Sequence, residues 1–308
     1  MLTVQENVPL APLTTFGIGG AGRWYVEVKT EDDVAEAVTW ARKRHVRFVV
    51  LAGGSNVLLP DEGLDALVMH IASESYAFFE TGLRAAAGCN LLELIRAAAE
   101  RGLGGWESLA GIPGTFGGAV RGNAGAFGAE LKDFVSRVTA LNTKTLASRV
   151  WVAPNLSFSY RDSSFKREPE WIILSATVEL APVRRDESLE KIEETIADRE
   201  KRHLQNVAAA GSFFMNPVAP PHVVAMFEQE KSMKSREGRV PAGWLIEKAG
   251  LKGERVGGAV ASEQHPNYLV NSGGATAKNV LELAATIKTE VKKQFDIELK
   301  EEAAVFHN

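Results

Sequence analysis

Apolar side chains recur along the chain at two spacings, which together predict an alternation of strands and helices. Residues 24–28 alternate apolar and polar side chains, as a half-buried strand does. Thr30 and Asp33, at capping-box spacing, precede an apolar stripe with three- and four-residue intervals, which predicts a helix. By the same criteria we predict strands at 48–51, 67–69, 83–87, 135–141, 149–152, 171–180 and 297–306, and helices at 91–101, 187–203, 222–230, 244–249 and 276–293.

The composition is that of a globular protein. Of its 308 residues 45% are hydrophobic and 24% charged, and this length favours two or three domains. A net charge of −4 gives no basic face for nucleic acid, and a single cysteine, Cys89, excludes a disulfide scaffold and a cysteine-based metal site. The N-terminus lacks a signal-peptide pattern, and no window holds the roughly 20 apolar residues of a membrane span. We expect a cytoplasmic protein without metal, nucleic-acid or membrane partners.

Residues 109–128 form the stretch with the most unusual composition, because glycine or alanine fills more than half of its positions. A flexible linker is disfavoured, since Ile112, Phe116 and Val120 are apolar anchors. Two interpretations stay open from composition alone. The stretch forms either a set of tight turns or a backbone that lies against a phosphate-bearing ligand.

Two shorter glycine clusters precede it. Residues 17–22 match Gly-x-Gly-x-x-Gly, but prolines precede the motif and a strand pattern follows it, so a Rossmann site is not supported. Residues 53–56, Gly-Gly-Ser-Asn, follow the strand predicted at 48–51. They are either an ordinary turn or a second group of phosphate-binding amides.

The segment 156–165 is the most informative polar stretch. Leu156, Phe158 and Tyr160 alternate with polar residues, which predicts that Tyr160 and Arg161 face opposite sides of a strand. By periodicity alone Arg161 is a surface arginine, and His265 is an ordinary loop histidine.

Taken together, the motifs resemble one family, the UDP-N-acetylenolpyruvoylglucosamine reductases. The resemblance rests on an ordered series that covers nearly the whole chain. The most specific matches are AGGSNVL (52–58), LAGIPGTFGGA (109–119), FSYRDSSFK (158–166), GSFFMNP (211–217) and LKEE (299–302), with further matches at 14–20, 123–128, 242–247, 251–253, 257–259, 265–267 and 271.

The resemblance implies an α+β fold. Residues 1–182 would form an FAD-binding domain of the vanillyl-alcohol-oxidase (PCMH) type, with subdomains at about 1–72 and 73–182. Residues 183–294 would form a substrate-binding α+β domain. Residues 295–308 would form a strand that returns to the first subdomain. The short connection between Lys166 and Trp171 is similar to that of members lacking a tyrosine-bearing insertion.

The resemblance also implies an activity. Members of the family use NADPH and a tightly but non-covalently bound FAD to reduce UDP-N-acetylglucosamine enolpyruvate to UDP-N-acetylmuramate, a peptidoglycan precursor. Hydride comes from flavin N5, and the proton comes from a serine that maps to Ser212. Arg161 and Glu302 map to groups that stabilise the intermediate. Hydride addition builds negative charge on the substrate carboxylate, which a fixed cation and a protonated carboxyl would stabilise. A monomer is expected.

Contacts are implied in the same way. FAD would be bound by Gly53, Gly54, Ser55, Asn56, Gly111, Ile112, Pro113, Gly114, Thr115, Gly117, Gly118, Ala119, Asn123 and Gly125. The substrate would be bound by Tyr160, Asn216, Lys252, His265 and Asn271. The chain departs from the family pattern at Met215 (usually lysine), at Leu204 (commonly proline) and after Glu302, which Ala303 follows.

Two alternatives remain. One is a flavoprotein oxidase or dehydrogenase of the same fold with another substrate, against which the match over the substrate domain stands. The other is a catalytically silent paralogue that binds the UDP-sugar or flavin, against which the presence of Arg161, Ser212 and Glu302 stands.

Overall fold

The computed structural model describes residues 2–202 and 207–308. Within them the helices are α1 (Glu31–Lys43), α2 (Leu91–Glu100), α3 (Phe116–Arg121), α4 (Ser164–Arg167), α5 (Arg185–Lys201), α6 (Pro221–Lys231), α7 (Ala242–Lys248) and α8 (Ala277–Phe295). The strands are β1 (Gln5–Pro9), β2 (Ala21–Val28), β3 (Phe48–Leu51), β4 (Val57–Leu58), β5 (Leu64–Ile71), β6 (Tyr76–Phe79), β7 (Gly82–Ala86), β8 (Leu103–Gly104), β9 (Gly125–Ala126), β10 (Ala129–Glu130), β11 (Val135–Asn142), β12 (Ser148–Val152), β13 (Trp171–Glu179), β14 (Ala181–Pro182), β15 (Ala209–Ser212), β16 (Arg255–Val256), β17 (Ala259–Ala261), β18 (Tyr268–Asn271) and β19 (Ala304–Val305).

The predicted helix starts are confirmed by their caps. The Thr30 side chain accepts from Asp33 N and the Asp33 carboxylate accepts from Thr30 N, so both halves of the capping box ahead of α1 are present. Asn90 caps α2 by accepting from Glu93 N at 3.1 Å. The predicted helix 187–203 is observed as α5. His203, its predicted last residue, and Leu204 lie outside the described residues.

Three local predictions differ from the structure. Strand β6 was not anticipated, because Tyr76–Phe79 is a run of apolar residues without alternation. The glycine-rich stretch contains a helix, α3, capped by Thr115, which its composition did not indicate. The strand predicted at 297–306 is shorter: only Ala304–Val305 joins a ladder. Ile297 and Leu299 are both buried, as the predicted alternation requires, and Glu301 pairs with Phe214 only as an isolated bridge.

The chain divides into two compact units that interleave along the sequence. Unit 1 comprises residues 1–8, 22–53 and 64–201, and unit 2 comprises residues 9–21, 54–63 and 202–308. Unit 1 therefore extends beyond the predicted domain limit at 182. The reason is local: Val183 N donates to Gly102 O at 2.8 Å, and the Ser188 hydroxyl donates to Glu107 Oε1 at 2.5 Å.

Unit 1 contains two larger sheets. The first has the order β1-β2-β5-β3, with β2 and β3 both parallel to β5. Val34, Ala37, Val38 and Ala41 of α1 are all buried, as their spacing predicts. The second sheet has the order β12-β11-β13-β7-β6, and its neighbouring strands are antiparallel. Parallel and antiparallel sheets in one unit give the mixed character expected of an α+β fold.

Unit 2 is built around an antiparallel sheet with the order β15-β18-β17-β16. Strands β19 and β4 pair in parallel beside it, so the C-terminal strand joins residues 57–58. Helix α8 buries Val280, Ala284, Ile287 and Val291, the stripe predicted for it. Asp61 accepts from Ala277 N at 2.7 Å, which adds a cap to this helix from an early part of the chain.

The described residues contain neither a membrane-spanning helix nor a cluster of side chains suited to a metal ion. None of the helices in 2–202 and 207–308 is long and apolar enough to cross a membrane. No cluster of three or more histidine, cysteine, aspartate and glutamate side chains in these ranges could hold a metal ion.

Candidate active site

The two glycine-rich loops considered as phosphate-binding meet in unit 1, through Gly53 and Gly114. A Cβ on Gly53 would lie 2.8 Å from Gly114 Cα and 3.1 Å from Thr115 N, so the backbones touch and a side chain has no room. Within the described residues, the N–H groups of Gly53, Gly114 and Thr115 donate to no protein acceptor. The close approach therefore leaves backbone donors available to an anion.

Gly117, at the start of α3, must lack a side chain because of protein packing and not because of a ligand. Gly117 N donates to Ala87 O at 2.8 Å, and a Cβ on Gly117 would lie 2.5 Å from Ala87 Cβ. Gly118 N donates to Thr115 Oγ1 over a long 3.4 Å. The Gly117 amide is therefore used within the protein, and its lack of a side chain lets α3 pack closely against Ala87. The donors open to a ligand lie before α3.

The remaining residues of the first loop, Gly54 to Asn56, belong to unit 2. Gly54 has a φ of 58°, and a Cβ there would overlap Leu13 O. Its N–H group has no acceptor in the described part of the chain. Asn56 Nδ2 donates to Glu302 O at 3.3 Å, and Ala304 N donates to Asn56 O at 3.0 Å. In unit 2, therefore, this loop borders both Glu302 and the start of β19.

These features fit the diphosphate of FAD. In unit 1 a side chain on Gly53 would strike backbone, and the N–H groups of Gly53 and Gly114 lack acceptors among the described residues, which is the arrangement in which glycine loops bind phosphate oxygens. The other residues predicted to contact FAD vary in exposure: Gly111 is buried with a φ of 77°, Ser55, Ile112 and Thr115 are half-buried, Pro113 and Gly118 are exposed, and Ala119 is buried within α3.

Arg161 lies in a tight turn. Ser159 N donates to Asp162 O, and Asp162 N donates to Ser159 O, each at 3.1 Å. Arg161 has a φ of 55°. Its Nη2 donates to Gly125 O at 2.7 Å, and its guanidinium carbon lies 5.1 Å from the centre of the Tyr160 ring. The prediction that Tyr160 and Arg161 face opposite sides is therefore wrong, because the turn replaces the strand on which alternation depends.

Asn123 connects this turn to the loop after α3. Asn123 is fully buried, and its Nδ2 donates to Ser159 O at 2.8 Å and to Glu130 Oε2 at 3.0 Å. Its Oδ1 accepts from Lys132 N. Burial alone would raise the pKa of Glu130, but hydrogen bonds from Lys132 and Asn123 and the charge of Arg161 hold that pKa below its usual range. The Asn123 side chain is thus used to position the Arg161 turn.

Ser212 and Glu302 are neighbours across a backbone pairing in unit 2. Ser212 ends β15, opposite Tyr268 of β18, and follows Gly211, which has a φ of 71°. On its other side, Glu302 N donates to Phe213 O at 2.8 Å. The Ser212 hydroxyl makes no hydrogen bond to any described residue. The strand with the serine therefore runs between β18 and the C-terminal segment.

The predicted substrate-binding residues fall into two groups. Asn216 Oδ1 accepts from Ala242 N at 2.9 Å, and Asn271 Oδ1 accepts from Gly273 N and Ala275 N, so these side chains also hold backbone. Lys252 is exposed, and its ammonium has no partner among the described residues. The His265 ring packs edge-on against Tyr268, with centroids 5.0 Å apart.

Comparison with known proteins identifies the family of the chain. A family model for the C-terminal domain of UDP-N-acetylenolpyruvoylglucosamine reductase matches residues 202–306, and one for an FAD binding domain matches residues 23–145. The UDP-N-acetylenolpyruvoylglucosamine reductase of Synechococcus sp. (strain JA-3-3Ab) is 35% identical over 305 residues, which cover 98% of this chain and 91% of that protein. The chain belongs to the UDP-N-acetylenolpyruvoylglucosamine reductase family.

Other members of the reductase family support this assignment. The reductase of Pseudomonas aeruginosa is 36% identical, with 99% of each chain covered. The crystal structure of UDP-N-acetylenolpyruvylglucosamine reductase from Thermus caldophilus has a TM-score of 0.79, 32% identity and 100% coverage of both chains. The α+β fold class with an FAD-binding domain of the PCMH type is thereby confirmed. The domain limits and the site residues stay predictions.

The sequence motifs of the reductase family did not reveal several hydrogen bonds that position the proposed site residues. Gly125 was predicted to contact FAD, yet its carbonyl also accepts from Arg161, and Lys166 Nζ donates to Arg161 O at 2.9 Å. Asn267, which no prediction assigned to the site, bonds twice to Phe214. The only signal in the sequence was the match at 265–267, which says nothing about contacts.

Proposed function

We propose that the chain is an FAD-dependent reductase that uses NADPH to reduce UDP-N-acetylglucosamine enolpyruvate to UDP-N-acetylmuramate, as a cytoplasmic monomer. The proposal rests on family membership along the whole chain. The structural observation that supports it is the hydrogen bond from Glu302 N to Phe213 O, because Glu302 and Ser212 then belong to adjacent backbone. When bound, FAD supplies the hydride that NADPH delivers.

Arg161 is proposed to stabilise negative charge on the substrate carboxylate. Its guanidinium is held by the Gly125 carbonyl and by the Tyr160 ring, and Glu130 lies close enough to interact with its charge. A cation held this way needs little reorganisation as charge develops on the substrate, which is the source of electrostatic catalysis.

Ser212 is proposed to give a proton to the carbon that does not receive the hydride. Its hydroxyl has no hydrogen-bond partner among the described residues, so a substrate carbon or a bridging water can take its proton. Glu302 is proposed to donate a hydrogen bond to the developing carboxylate charge, which requires a protonated carboxyl. The Lys252 ammonium is exposed and has no partner among the described residues, which suits it to a UDP diphosphate oxygen.

Optical spectroscopy tests the cofactor first. The purified protein should show the absorption bands of oxidised flavin, and acid precipitation should release all of the colour into the supernatant, because the proposed FAD is not covalently bound. A protein without flavin bands, even after incubation with FAD, would contradict the proposal. Colour that stays in the precipitate would contradict non-covalent binding only.

Two anaerobic half-reactions test the substrates. NADPH should bleach the flavin, and UDP-N-acetylglucosamine enolpyruvate should then restore its absorption. Restoration by oxygen alone, with no response to the UDP-sugar, would favour an oxidase of the same fold. Ser212→Ala should leave bleaching by NADPH unchanged and slow restoration by 10²-fold or more, since general acid catalysis contributes about 10²–10⁴-fold. Unchanged restoration would remove Ser212 from its proposed role.

A further inference from the structure

Asn267 is a buried side chain to which neither the motif analysis nor the proposed mechanism gives a role. It is 2% exposed. Phe214 N donates to Asn267 Oδ1 at 2.9 Å, and Asn267 Nδ2 donates to Phe214 O at 2.9 Å. The backbone of Asn267 also accepts from Phe213 N, at 2.7 Å. One residue therefore bonds three polar groups of two successive residues.

The Asn267 amide extends a strand pairing that would otherwise stop. Strand β15 pairs with β18 up to Ser212 and Tyr268, and the register between Ala209 and Ser212 is irregular. Beyond Ser212 the chain no longer lies in the ladder. A primary amide presents one acceptor and one donor side by side, as a peptide in a neighbouring strand does. Its two bonds contribute about 1 kcal/mol each.

Together with the C-terminal segment, Asn267 satisfies every backbone polar group between Phe213 N and Met215 N. Glu302 N donates to Phe213 O, and Met215 N donates to Lys300 O at 2.9 Å. The remaining groups, Phe213 N, Phe214 N and Phe214 O, all bond to Asn267. The backbone of Phe213 and Phe214, directly after Ser212, is thus fixed by Asn267 on one side and by residues 300–302 on the other.

We infer that Asn267 is a positioning residue for the reaction, because its side chain fixes the Phe213–Phe214 backbone across which Ser212 and Glu302 are held together. The inference rests on the proposed roles of Ser212 and Glu302. Asn267 itself is not a catalytic residue, since it acts through the backbone. A displacement of about 1 Å of a reacting group can cost about 10²-fold in rate.

Asn267→Asp is the sharpest test, because it keeps the shape of the side chain and makes the hydrogen bond to Phe214 O depend on pH. The ionised carboxylate can accept from Phe214 N but cannot donate to Phe214 O, and two acceptors then face each other. The protonated carboxyl restores the donor. Burial raises the pKa of a carboxyl, so the bond should return as pH falls through the neutral range.

The expected result is a kcat about 100-fold below wild type at pH 8.5 and a ratio to wild type that rises at least tenfold on lowering the pH to 6. KM for the UDP-sugar should stay within about threefold, and bleaching by NADPH should be unchanged, since the change displaces only the proton donor and Glu302. Asn279→Asp is the matched control: it lies in unit 2, its side chain also accepts backbone N–H at the start of α8, and its kcat ratio should not vary with pH.

The double variant Ser212→Ala/Asn267→Asp tests whether Asn267 acts through Ser212. In the Ser212→Ala background the second substitution should cost less than about tenfold, because its effect through Ser212 is already lost and only the displacement of Glu302 remains. A full further loss of about 100-fold would overturn the inference. So would a folded Asn267→Asp protein with wild-type kcat at every pH, or one in which bleaching by NADPH slows as much as turnover.

If Asn267→Asp does not fold, Asn267→Ser replaces it. The smaller hydroxyl can make only one of the two bonds reliably, so an approximately tenfold lower kcat without recovery at low pH is expected, and wild-type kcat would overturn the inference. A wild-type protein whose reduced flavin does not respond to the UDP-sugar would instead contradict the proposed function, which keeps the two failures distinct.

Discussion

At the scale of single residues, backbone conformation decides where the proposed reacting side chains point. Arg161 has a positive φ, and the turn it belongs to brings its guanidinium to Gly125 O and over the Tyr160 ring. Left-handed backbone is unusual for a residue with a Cβ, and its occurrence at a proposed catalytic residue is consistent with strain held at a functional site. Gly125 is therefore a residue on which the position of Arg161 depends.

Gly125→Ala should lower activity by displacing Arg161. A Cβ there would lie 2.6 Å from Ala129 O and 2.8 Å from Glu130 Cγ, so the loop must shift and the carbonyl bond to Arg161 must lengthen. We expect kcat to fall by about 10–100-fold, with a loss of about 1–3 kcal/mol in unfolding free energy. Gly122→Ala is the control, because its Cβ would meet only Gly118 O at 3.5 Å. Equal kcat for the two variants would contradict this dependence.

Tyr25 should make stability depend on pH at alkaline values. Burial, with the charge and hydrogen bond of Glu27, raises the pKa of Tyr25 from 10.0 to about 12, and its hydroxyl lies 2.7 Å from His70 Nδ1. Between pH 10 and 12 the unfolded state has lost this proton while the folded state keeps it. Stability therefore falls as pH rises through that window, by up to about 3 kcal/mol for a shift of two pKa units.

Tyr25→Phe removes this contribution. In urea unfolding at pH 9 and pH 11.5, the variant should lose less stability between the two pH values than wild type does. The comparison cancels other groups that titrate in the same window. Equal losses would show that the pKa of Tyr25 is not raised by folding.

At the scale of elements, helix α3 is positioned by contacts that its own sequence does not reveal. Six residues, three of them glycine or alanine, are too few to form a stable helix in isolation. Thr115 caps it, and Gly117 N bonds to Ala87 O. The helix therefore depends on close packing against the residue that follows β7.

Gly117→Ala should disrupt that packing. Its Cβ would lie 2.5 Å from Ala87 Cβ, so a loss of about 1–3 kcal/mol in unfolding free energy and weaker FAD binding are expected. Adding Ala87→Gly removes the clashing atom and should recover part of the loss. Urea unfolding and fluorescence titration with FAD measure both effects. A double variant less stable than the sum of the single changes would contradict the packing explanation.

At the scale of the whole molecule, unit 2 is assembled from three separate parts of the chain. Its hydrophobic core joins Phe16 and Ile18 from the first part and Leu58 from the second to the C-terminal helices and strands. Asp61 caps α8, and β4 pairs with β19. A C-terminal fragment therefore lacks part of its own core.

The fragment 202–308 should not fold by itself. It would expose apolar surface that residues 9–21 and 54–63 cover, and it would lose the only ladder partner of β19 in the described chain. We expect no cooperative thermal transition and poorly dispersed amide signals by NMR, with the full chain as control. Cooperative unfolding of the fragment would show that these early segments are dispensable.

Much of the fold could be predicted from local patterns. The capping box ahead of α1 and the buried stripes of α1 and α8 follow from side-chain spacing, because they depend on contacts within a few residues. The presence of an FAD-binding domain followed from the ordered motifs and was confirmed. Boundaries of short elements such as β6, α3 and β19 could not be predicted, since neighbouring segments decide them.

The sequence by itself determined the family, the fold class and the residue types that the proposed chemistry needs. Only the tertiary structure decided which of those residues make hydrogen bonds within the protein and which are open to a ligand. Asn123 and Gly117 were predicted to contact FAD, yet the Asn123 side chain holds the Arg161 turn and the Gly117 amide bonds to Ala87 O. Asn267 carried no functional signal, yet it fixes the backbone beside Ser212. The reason is physical: hydrogen bonds between residues far apart in sequence leave no periodic pattern along the chain.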